Sequence, residues 1–474
     1  MIQDEFIKVF NQKLEHSATD DQVKAIESLA RFTLDIEQQE LYILKGYAGT
    51  GKTTLIDGLV KATNHFKIKT ILLAPTGRAA KVINKITRKA AFTIHKKIYR
   101  QKGSKDGFGG FALGENLHTN TLFIVDESSM IANKSIDQSA FGTGSLLDDL
   151  IKFVFSGERC KLVFIGDIAQ LPPVKLNISP ALDEEALKMF MYPVFSTTLK
   201  QVVRQEQDSG ILYNATELRK QLSQDKINIQ INTKDFNDVT PINGELLIES
   251  LSSAYDSEGL EQNIVICRSN KRANRFNQGI RNAVLYKEER ISVGDLIMVV
   301  KNSYFWTEDE FDIDFIANGD IAEIVHIFGK ESMYGFDFAD ITIRLVDYSD
   351  TEINVKILLN TLETETPALS FEENKTLFYT ILEDYAHLKP KKKQYEEVRS
   401  NPYFNAIQIK YAYAVTCHKA QGGQWKNVFV DQGYINDDMI DKEYLRWLYT
   451  AFTRPTKQLF LINFDKKMLD ITDF

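Results

Sequence analysis

Short, mostly apolar runs recur along the chain and alternate with stretches of helical spacing. Residues 41–45 form one such run, and the segment that follows places Leu55, Leu59 and Val60 on one face of a helix. Apolar runs flanked by helices are typical of parallel strands that are covered on both faces. The pattern predicts an α/β fold with two doubly wound parallel sheets. Further runs of this kind span residues 121–125, 161–166, 263–267 and 426–430.

A different pattern interrupts this alternation between residues 292 and 401. Residues 318–320 read Asn-Gly-Asp, which is a turn signal, and the strand-like runs around them predict a small antiparallel barrel. The stretch 363–399 that follows is charged and helical in character, and such a charge run is more often a solvated face than a binding site. The predicted barrel strands lie within residues 296–300, 321–327 and 341–346.

Length and composition indicate a globular protein of several domains. At ~100–200 residues per domain, 474 residues suggest about three domains. The chain is 43% hydrophobic and 26% charged, which is near the average for soluble proteins. Its formal net charge of −8 argues against a surface coated with phosphate-binding cations. That argument is weak, because one basic channel suffices to hold a single nucleic-acid strand.

The cysteines and the absence of long apolar segments indicate the compartment. Cys160, Cys267 and Cys417 are widely separated and form no metal-ligand pair, so reduced thiols in the cytoplasm are expected. The N-terminus has early acids and no signal-peptide pattern. No apolar run approaches the ~20 residues that span a bilayer, so no membrane association is expected.

The first chemical signal is a phosphate-binding loop at residues 46–53, Gly-Tyr-Ala-Gly-Thr-Gly-Lys-Thr, between a predicted strand and a predicted helix. Lys52 would reach the β- and γ-phosphates of ATP, and the Thr53 hydroxyl would bind Mg²⁺. The alternative is a glycine-rich turn that binds nothing, but chance produces this pattern only roughly once in 50–100 such chains. The residues expected at ATP are Gly46, Ala48, Gly49, Thr50, Gly51, Lys52, Thr53 and Thr54.

Polar residues follow two further apolar runs. Asp126 would hold Mg²⁺ through water, and Glu127 would orient or deprotonate the water that attacks the γ-phosphate. Taken alone, this pair is about as consistent with a solvated acidic turn. Gln170 follows the run 161–166 and would contact the γ-phosphate. Because ligands bind at the carboxyl ends of parallel strands, Lys52, Asp126 and Gln170 are expected to converge.

Five further segments occur in a fixed order: residues 73–80 (Leu-Ala-Pro-Thr-Gly-Arg-Ala-Ala), 125–128 (Val-Asp-Glu-Ser), 166–173, 413–422 and 449–454. They resemble the motifs of superfamily 1 helicases, in the forms typical of the RecD, TraI and Dda branch, superfamily 1B. The resemblance implies two RecA-like motor domains, 1A at residues 1–190 and 2A at 191–291 and 402–474. It implies a pin, or 1B, insert near 90–118 and an SH3-like 2B insert at 292–401.

The resemblance also assigns roles to residues outside the phosphate loop. Gln22 would bracket the adenine edge, although a helix cap with an incidental glutamine explains Thr19-Asp-Asp-Gln22 equally well. Gly422 is assigned to the ATP site. Arg204 and Arg454 resemble arginine fingers that stabilise charge on the transferring phosphoryl group. A lone arginine is usually a surface ion-pair partner, so Arg204 depends on the resemblance almost entirely.

In this family a DNA strand crosses the tops of both motor domains, which assigns a set of polar residues to its phosphates. The pin would carry an aromatic wedge that splits the duplex, and a flexible basic loop is an equally weighted alternative. The residues assigned to DNA are Thr76, Arg78, Thr93, His95, Phe108, Phe111, Thr416, His418 and Lys419.

The sequence therefore predicts an ATP- and Mg²⁺-dependent DNA helicase, a monomeric motor that moves along single-stranded DNA and opens junctions in replication, recombination or repair. The 5′-to-3′ direction and a single-strand-binding or repair protein as partner rest on the resemblance. Alternatives are a motor subunit of a helicase–nuclease complex and a DNA-stimulated ATPase that separates no strands. A small-molecule kinase or a non-hydrolysing scaffold fits poorly, because neither requires the Arg454 motif.

Overall fold

The structure is a computed structural model, and it describes residues 2–14, 17–35, 38–101, 111–133, 142–203, 209–307, 315–346, 348 and 351–470. No helix among these residues is long and apolar enough to cross a membrane. The chain folds into two parallel α/β domains, a hairpin insert and a closed barrel. The predicted fold class is confirmed.

The N-terminal domain is a six-stranded parallel sheet in the order β3-β2-β6-β7-β1-β8, with helices on both faces. Strands β4 and β5 form the separate hairpin. The strands are β1 (Leu41–Gly46), β2 (Lys69–Ala74), β3 (Ala91–Thr93), β4 (Tyr99–Gln101), β5 (Phe111–Leu113), β6 (Thr121–Val125), β7 (Lys161–Gly166) and β8 (Val194–Leu199). The helices are α1 (Ile2–Gln12), α2 (Asp20–Leu34), α3 (Lys52–His65), α4 (Gly77–Thr87), α5 (Ile94–Ile98), α6 (Leu146–Ser156) and α7 (Glu184–Lys188).

The C-terminal domain begins next, and the barrel is inserted within it. The barrel closes because β15 pairs with both β11 and β14. The pair α11 and α12 packs on the barrel through Phe338, Ile381 and Val398, so much of the charged stretch 363–399 has a structural role. The elements are α8 (Gly210–Gln221), β9 (Val239–Ile242), α9 (Leu247–Glu258), β10 (Asn263–Cys267), α10 (Asn270–Gly279), β11 (Leu296–Val299), β12 (Ile321–Met333), β13 (Phe336–Leu345), β14 (Thr351–Leu358), α11 (Phe371–Asp384), α12 (Lys391–Ser400) and β15 (Ile407–Tyr411).

The chain then returns to complete the second sheet, in the order β16-β10-β17-β18-β9. All its pairs are parallel, and its central strands β10 and β17 are almost fully buried, whereas β18 and β9 are buried in part. The carboxyl end of β16 carries Thr416, His418 and Lys419, which were singled out above. The remaining elements are β16 (Ala414–Thr416), α13 (Cys417–Ala420), β17 (Trp425–Asp431), α14 (Lys442–Phe452) and β18 (Pro455–Ile462).

Candidate nucleotide site and nucleic-acid interface

The phosphate loop, residues 46–53, joins the end of β1 to the first turn of α3. Gly51 precedes the helix with φ +78, a left-handed conformation that glycine adopts without strain. The Lys52 ammonium donates to the Tyr47 carbonyl at 2.9 Å and lies 4.0 Å from a carboxylate oxygen of Asp167. The loop thus has the geometry of a phosphate cradle, with its lysine folded back on the loop itself.

Gln22 lies against this loop, and it also caps a helix. Its side-chain carbonyl accepts the Thr19 N–H at 3.0 Å, which completes a capping box at the start of α2. Its amide nitrogen donates to the Thr50 carbonyl at 3.0 Å. A Cβ at Gly51 would lie 2.3 Å from that nitrogen, so Gly51 also permits this close approach. The two interpretations of Gln22 are compatible: it caps α2 and lies at the loop.

The paired carboxylates follow β6, beside the loop. The Asp126 N–H donates to the Leu73 carbonyl, and a carboxylate oxygen of Asp126 accepts the Glu127 N–H at 2.9 Å. Glu127 has φ +51, a conformation uncommon for a non-glycine residue. Burial, followed by the charge of Glu127, raises the pKa of the Asp126 carboxyl above its ordinary range. Two adjacent, poorly solvated carboxylates favour a cation at this position.

The donor set suits Mg²⁺ bound together with a nucleotide. Mg²⁺ usually keeps several waters and is held by one or two carboxylates plus substrate phosphates. Asp126 supplies such a carboxylate, and the Thr53 hydroxyl stands at the start of α3. Among the residues that the structure describes, no cluster of three or more His, Cys, Asp or Glu could hold a metal without a nucleotide.

Tyr449 of α14 reaches across from the C-terminal domain to the phosphate loop. Its hydroxyl accepts the Ala48 N–H at 2.8 Å and donates to Asp167 at 2.6 Å. Both Tyr449 and Asp167 are almost fully buried. Neither had been predicted as a functional residue, although Tyr449 opens a recognised motif, because a contact between residues this far apart in sequence leaves no local signal.

The segment after β7 makes further contacts with α14. The Leu171 N–H donates to the Thr450 hydroxyl at 2.8 Å, and the Arg446 guanidinium donates to the carbonyls of Ile168 and, at 3.3 Å, Gln170. Gln170 is buried, and its side-chain carbonyl has no hydrogen-bond partner within the described part of the chain. An unsatisfied buried acceptor is costly, which is consistent with a side chain whose partner arrives with a ligand.

Of the two predicted arginine fingers, Arg204 and Arg454, the structure describes only Arg454. Arg204 lies outside the described residues, and the nearby Val203 N–H donates to the Gly49 carbonyl of the phosphate loop at 2.9 Å. The Arg454 guanidinium is buried and donates to Thr450, Gly423 and Thr453 of its own domain. In this conformation Arg454 therefore braces its own domain, and a catalytic contact would require it to exchange these partners.

A cavity of about 730 Å³ opens beside the phosphate loop, between Ala48 and the second domain. This volume falls within the ~300–1,000 Å³ of small-molecule sites. Nearby, the Arg219 guanidinium stacks on the Tyr47 ring at 4.2 Å. Gly422, predicted at the ATP site, instead faces α4, where a Cβ would lie 3.0 Å from that of Ala79. The described contacts do not bring Gly422 to the loop.

Several residues assigned to DNA have local structural roles. Thr76 and Thr93 accept backbone N–H groups as caps of α4 and α5. The Arg78 guanidinium stacks on Trp425 at 3.9 Å and donates to the Gln424 carbonyl, so it joins the two α/β domains.

Burial changes the charge of the basic side chains in this group. It lowers the pKa of His95 to about 4, so the imidazole is neutral at pH 7 and lies beside Tyr99. Burial likewise lowers the pKa of His418, and that of Lys419 to about 8. At pH 7 Lys419 therefore carries the positive charge of residues 416–419, whereas His95 and His418 are neutral.

The hairpin insert contacts the barrel insert through aromatic rings. Phe111 of β5 lies 4.3 Å from the ring of Tyr304, which in turn lies 4.9 Å from Phe315. Phe111, which pairs with Gln101 at the loop end of the two strands, therefore holds the hairpin against the barrel insert. Phe108, the other candidate for the wedge, lies outside the described residues.

The geometry defines a class: a protein with two parallel α/β domains that meet at a phosphate loop. Comparison with known families agrees. Residues 17–236 match the model of an AAA domain, and residues 411–462 match that of the UvrD-like helicase C-terminal domain. These matches confirm the resemblance to superfamily 1B helicases, in the branch that includes RecD and Dda.

Individual relatives are distant. The RecD subunit of the RecBCD enzyme of Buchnera aphidicola (subsp. Schizaphis graminum) is 24% identical over 88% of this chain and 69% of its own length. The ATP-dependent DNA helicase Dda of enterobacteria phage T4 is 26% identical over 56% of this chain and 57% of its own. The chain spans 39% and 69% of the first two curated relatives that it matches.

Solved structures of helicases also align with this chain. The Pif1 helicase from Bacteroides, in complex with ADP-AlF3 and single-stranded DNA, aligns with a TM-score of 0.48 at 15% identity. The alignment covers 97% of this chain and 95% of that one.

Proposed function

We propose that the protein is an ATP-dependent DNA helicase that moves along single-stranded DNA and separates the strands of a duplex. The observation that carries the proposal is the Tyr449 hydroxyl, which bonds a backbone amide of the phosphate loop from the other α/β domain. A nucleotide phosphate that accepts a hydrogen bond from the Ala48 N–H must displace the Tyr449 hydroxyl. Nucleotide binding and the contact between the domains are therefore coupled, as a motor requires.

The side chains at the loop have separate tasks in this proposal. Lys52 leaves the Tyr47 carbonyl to bind the nucleotide phosphates, and Glu127 orients the attacking water. Mg²⁺, held by Asp126 and Thr53, would neutralise phosphate charge. Gln170 contacts α14 through Arg446, and Tyr449 projects from α14 to the phosphate loop, so both would relay the presence of the γ-phosphate to the second domain. Arg204 and Arg454 remain proposed arginine fingers, and Arg454 would first have to leave its own domain.

The strand would lie across the carboxyl ends of both sheets, at the residues assigned to DNA in the sequence. Movement from 5′ to 3′, a role in replication, recombination or repair, and action as a monomer are proposed by resemblance to the branch. The hairpin, held by Phe111 on the barrel, is proposed to meet the duplex at its tip.

Steady-state ATP hydrolysis, measured with and without poly(dT), tests the proposal. We expect slow hydrolysis without DNA and strong stimulation with it, because strand binding should organise the interdomain cleft. Glucose and nucleosides, offered as alternative phosphoryl acceptors, should give no product. A hydrolysis rate that does not change when poly(dT) is added would exclude a motor. Phosphorylation of glucose or a nucleoside would indicate a kinase.

A further inference from the structure

Two lysines from different parts of the fold line the same cleft, one of them buried and the other partly buried. Lys410 lies on β15 of the barrel and is 5% exposed, and Lys419 lies on α13 of the C-terminal domain and is partly buried. Both line one narrow cleft, together with Asn270, Asn274 and Thr416. Within the described ranges, neither lysine lies within ion-pair distance of a carboxylate.

Such an arrangement is costly unless an anion completes it. Lysine is rarely buried without a partner, and an unpaired buried charge strongly disfavours the folded state. Burial and the proximity of Lys419 lower the pKa of Lys410 to about 8, and burial alone lowers that of Lys419 to about 8. An anion between the two ammonium groups would restore both pKa values and remove their repulsion.

The present partner of Lys410 is a neutral group that an anion could replace. Lys410 donates to the backbone carbonyl and the hydroxyl of Thr364, and Asn274 donates to the same carbonyl at 2.8 Å. The acids on either side of Thr364 point to other cations: Glu365 pairs with Lys271, and Glu363 with Arg290. The segment around Thr364 thus covers the cleft, but neither of its two acids pairs with Lys410 or Lys419.

The composition of the cleft selects the kind of anion. Two ammonium groups, amides and a hydroxyl form a donor set suited to a phosphate group. Thr416 and Lys419 belong to the segment assigned to the DNA strand. A backbone phosphate of that strand is therefore the phosphate that we expect in this cleft. Lys410 had no assignment, because β15 reads as an ordinary apolar strand.

We propose that Lys410 and Lys419 together bind one backbone phosphate of the single strand, so that the barrel grips the strand jointly with the C-terminal domain. The inference rests on the proposed function. When the strand binds, Lys410 exchanges the Thr364 carbonyl for a phosphate oxygen, and Asn270 and Thr416 donate to the same group.

The salt dependence of binding to fluorescein-labelled dT oligomers, measured by anisotropy, tests this. Each phosphate contact on a single strand contributes a slope of ~0.7 to the plot of log K against log salt. We expect Lys410→Met to reduce the slope by about 0.7, because the phosphate needs both ammonium groups and is released when one is removed. Lys426→Met is the control, because Lys426 lies on the C-terminal domain, as Lys419 does, pairs with Glu258 at 2.6 Å and should leave the slope unchanged.

The double variant Lys410→Met/Lys419→Met distinguishes one shared phosphate from two. If both lysines hold the same phosphate, the double variant loses no more slope than either single variant. A doubled loss would overturn the shared site. Thermal melting followed by circular dichroism verifies that each variant is folded.

Asn270→Asp provides a second approach if Lys410→Met does not fold. A carboxylate there lies in the first turn of α10, which favours acids, and should neutralise the lysine pair and reduce the slope. An unchanged slope in folded Lys410→Met or Asn270→Asp, with tight wild-type binding, would overturn this inference alone. A wild-type protein that binds no dT would overturn the proposed function as well.

Discussion

Replacing Tyr449 by phenylalanine should loosen the contact between the two α/β domains. The change removes one hydroxyl, and with it the bond from the Ala48 amide and the bond to Asp167. A neutral hydrogen bond contributes about 1 kcal/mol, and one to a charged group about 1.5–3 kcal/mol. Because Tyr449 is 1% exposed, water would not readily replace either partner.

The combined loss should therefore be about 2.5–4 kcal/mol in the free energy of domain contact. This corresponds to a roughly 60- to 700-fold larger population of the separated form. Other contacts, such as that of Leu171 with Thr450, still hold the domains, so the fold itself should survive.

Hydrogen–deuterium exchange with mass spectrometry measures the effect directly. A peptide that covers residues 46–53 should gain one rapidly exchanging amide in Tyr449→Phe, that of Ala48. Tyr444→Phe is the matched control: it lies on the same helix, and its hydroxyl accepts a bond from Gln432 of its own domain. Unchanged exchange in Tyr449→Phe, or equal acceleration in the control, would refute the reasoning.

Other substitutions at the nucleotide site have equally definite outcomes. Lys52→Ala should abolish ATP turnover without lowering the melting temperature appreciably. Its ammonium bonds a loop carbonyl and lies 4.0 Å from Asp167, which keeps its hydrogen bond from Tyr449. A large drop in melting temperature would indicate a structural lysine. Glu127→Gln should retain bound ATP in filter-binding assays while hydrolysis stops, and normal turnover would exclude it as the residue that positions water. Because the pKa of Asp126 is raised in the folded state, folding favours the protonated carboxyl. The free energy of unfolding should therefore fall as the pH rises from about 4 through that raised pKa. Asp126→Asn should remove this part of the pH dependence of melting, and an unchanged profile would contradict it.

Local patterns predicted the elements that contain their own signals. The phosphate loop, the acidic pair and Gln170 each follow an apolar strand, and parallel topology alone brings them to one edge. The hairpin and the barrel were expected from breaks in the α/β rhythm. Two barrel strands, β14 and β15, were not predicted, because β15 is separated from β14 by two helices and reads as part of the following domain.

Contacts between the domains could not be predicted in the same way. Tyr449 and Asp167 meet only after both sheets have formed, and an apolar-looking helix position gives no sign of a hydroxyl that crosses the cleft. Lys410 alternates with apolar neighbours on β15, and its burial beside Lys419 follows from barrel closure, which the strand pattern does not encode.

Unwinding of tailed duplexes tests the central claim most directly. A short duplex with a 5′ single-stranded tail, mixed with the protein and ATP, should release its strand in a gel or fluorescence assay. The same duplex with a 3′ tail should stay intact, and Lys52→Ala should release neither. Failure to unwind any tailed duplex would contradict the helicase proposal, and release only from the 3′ tail would contradict the proposed direction.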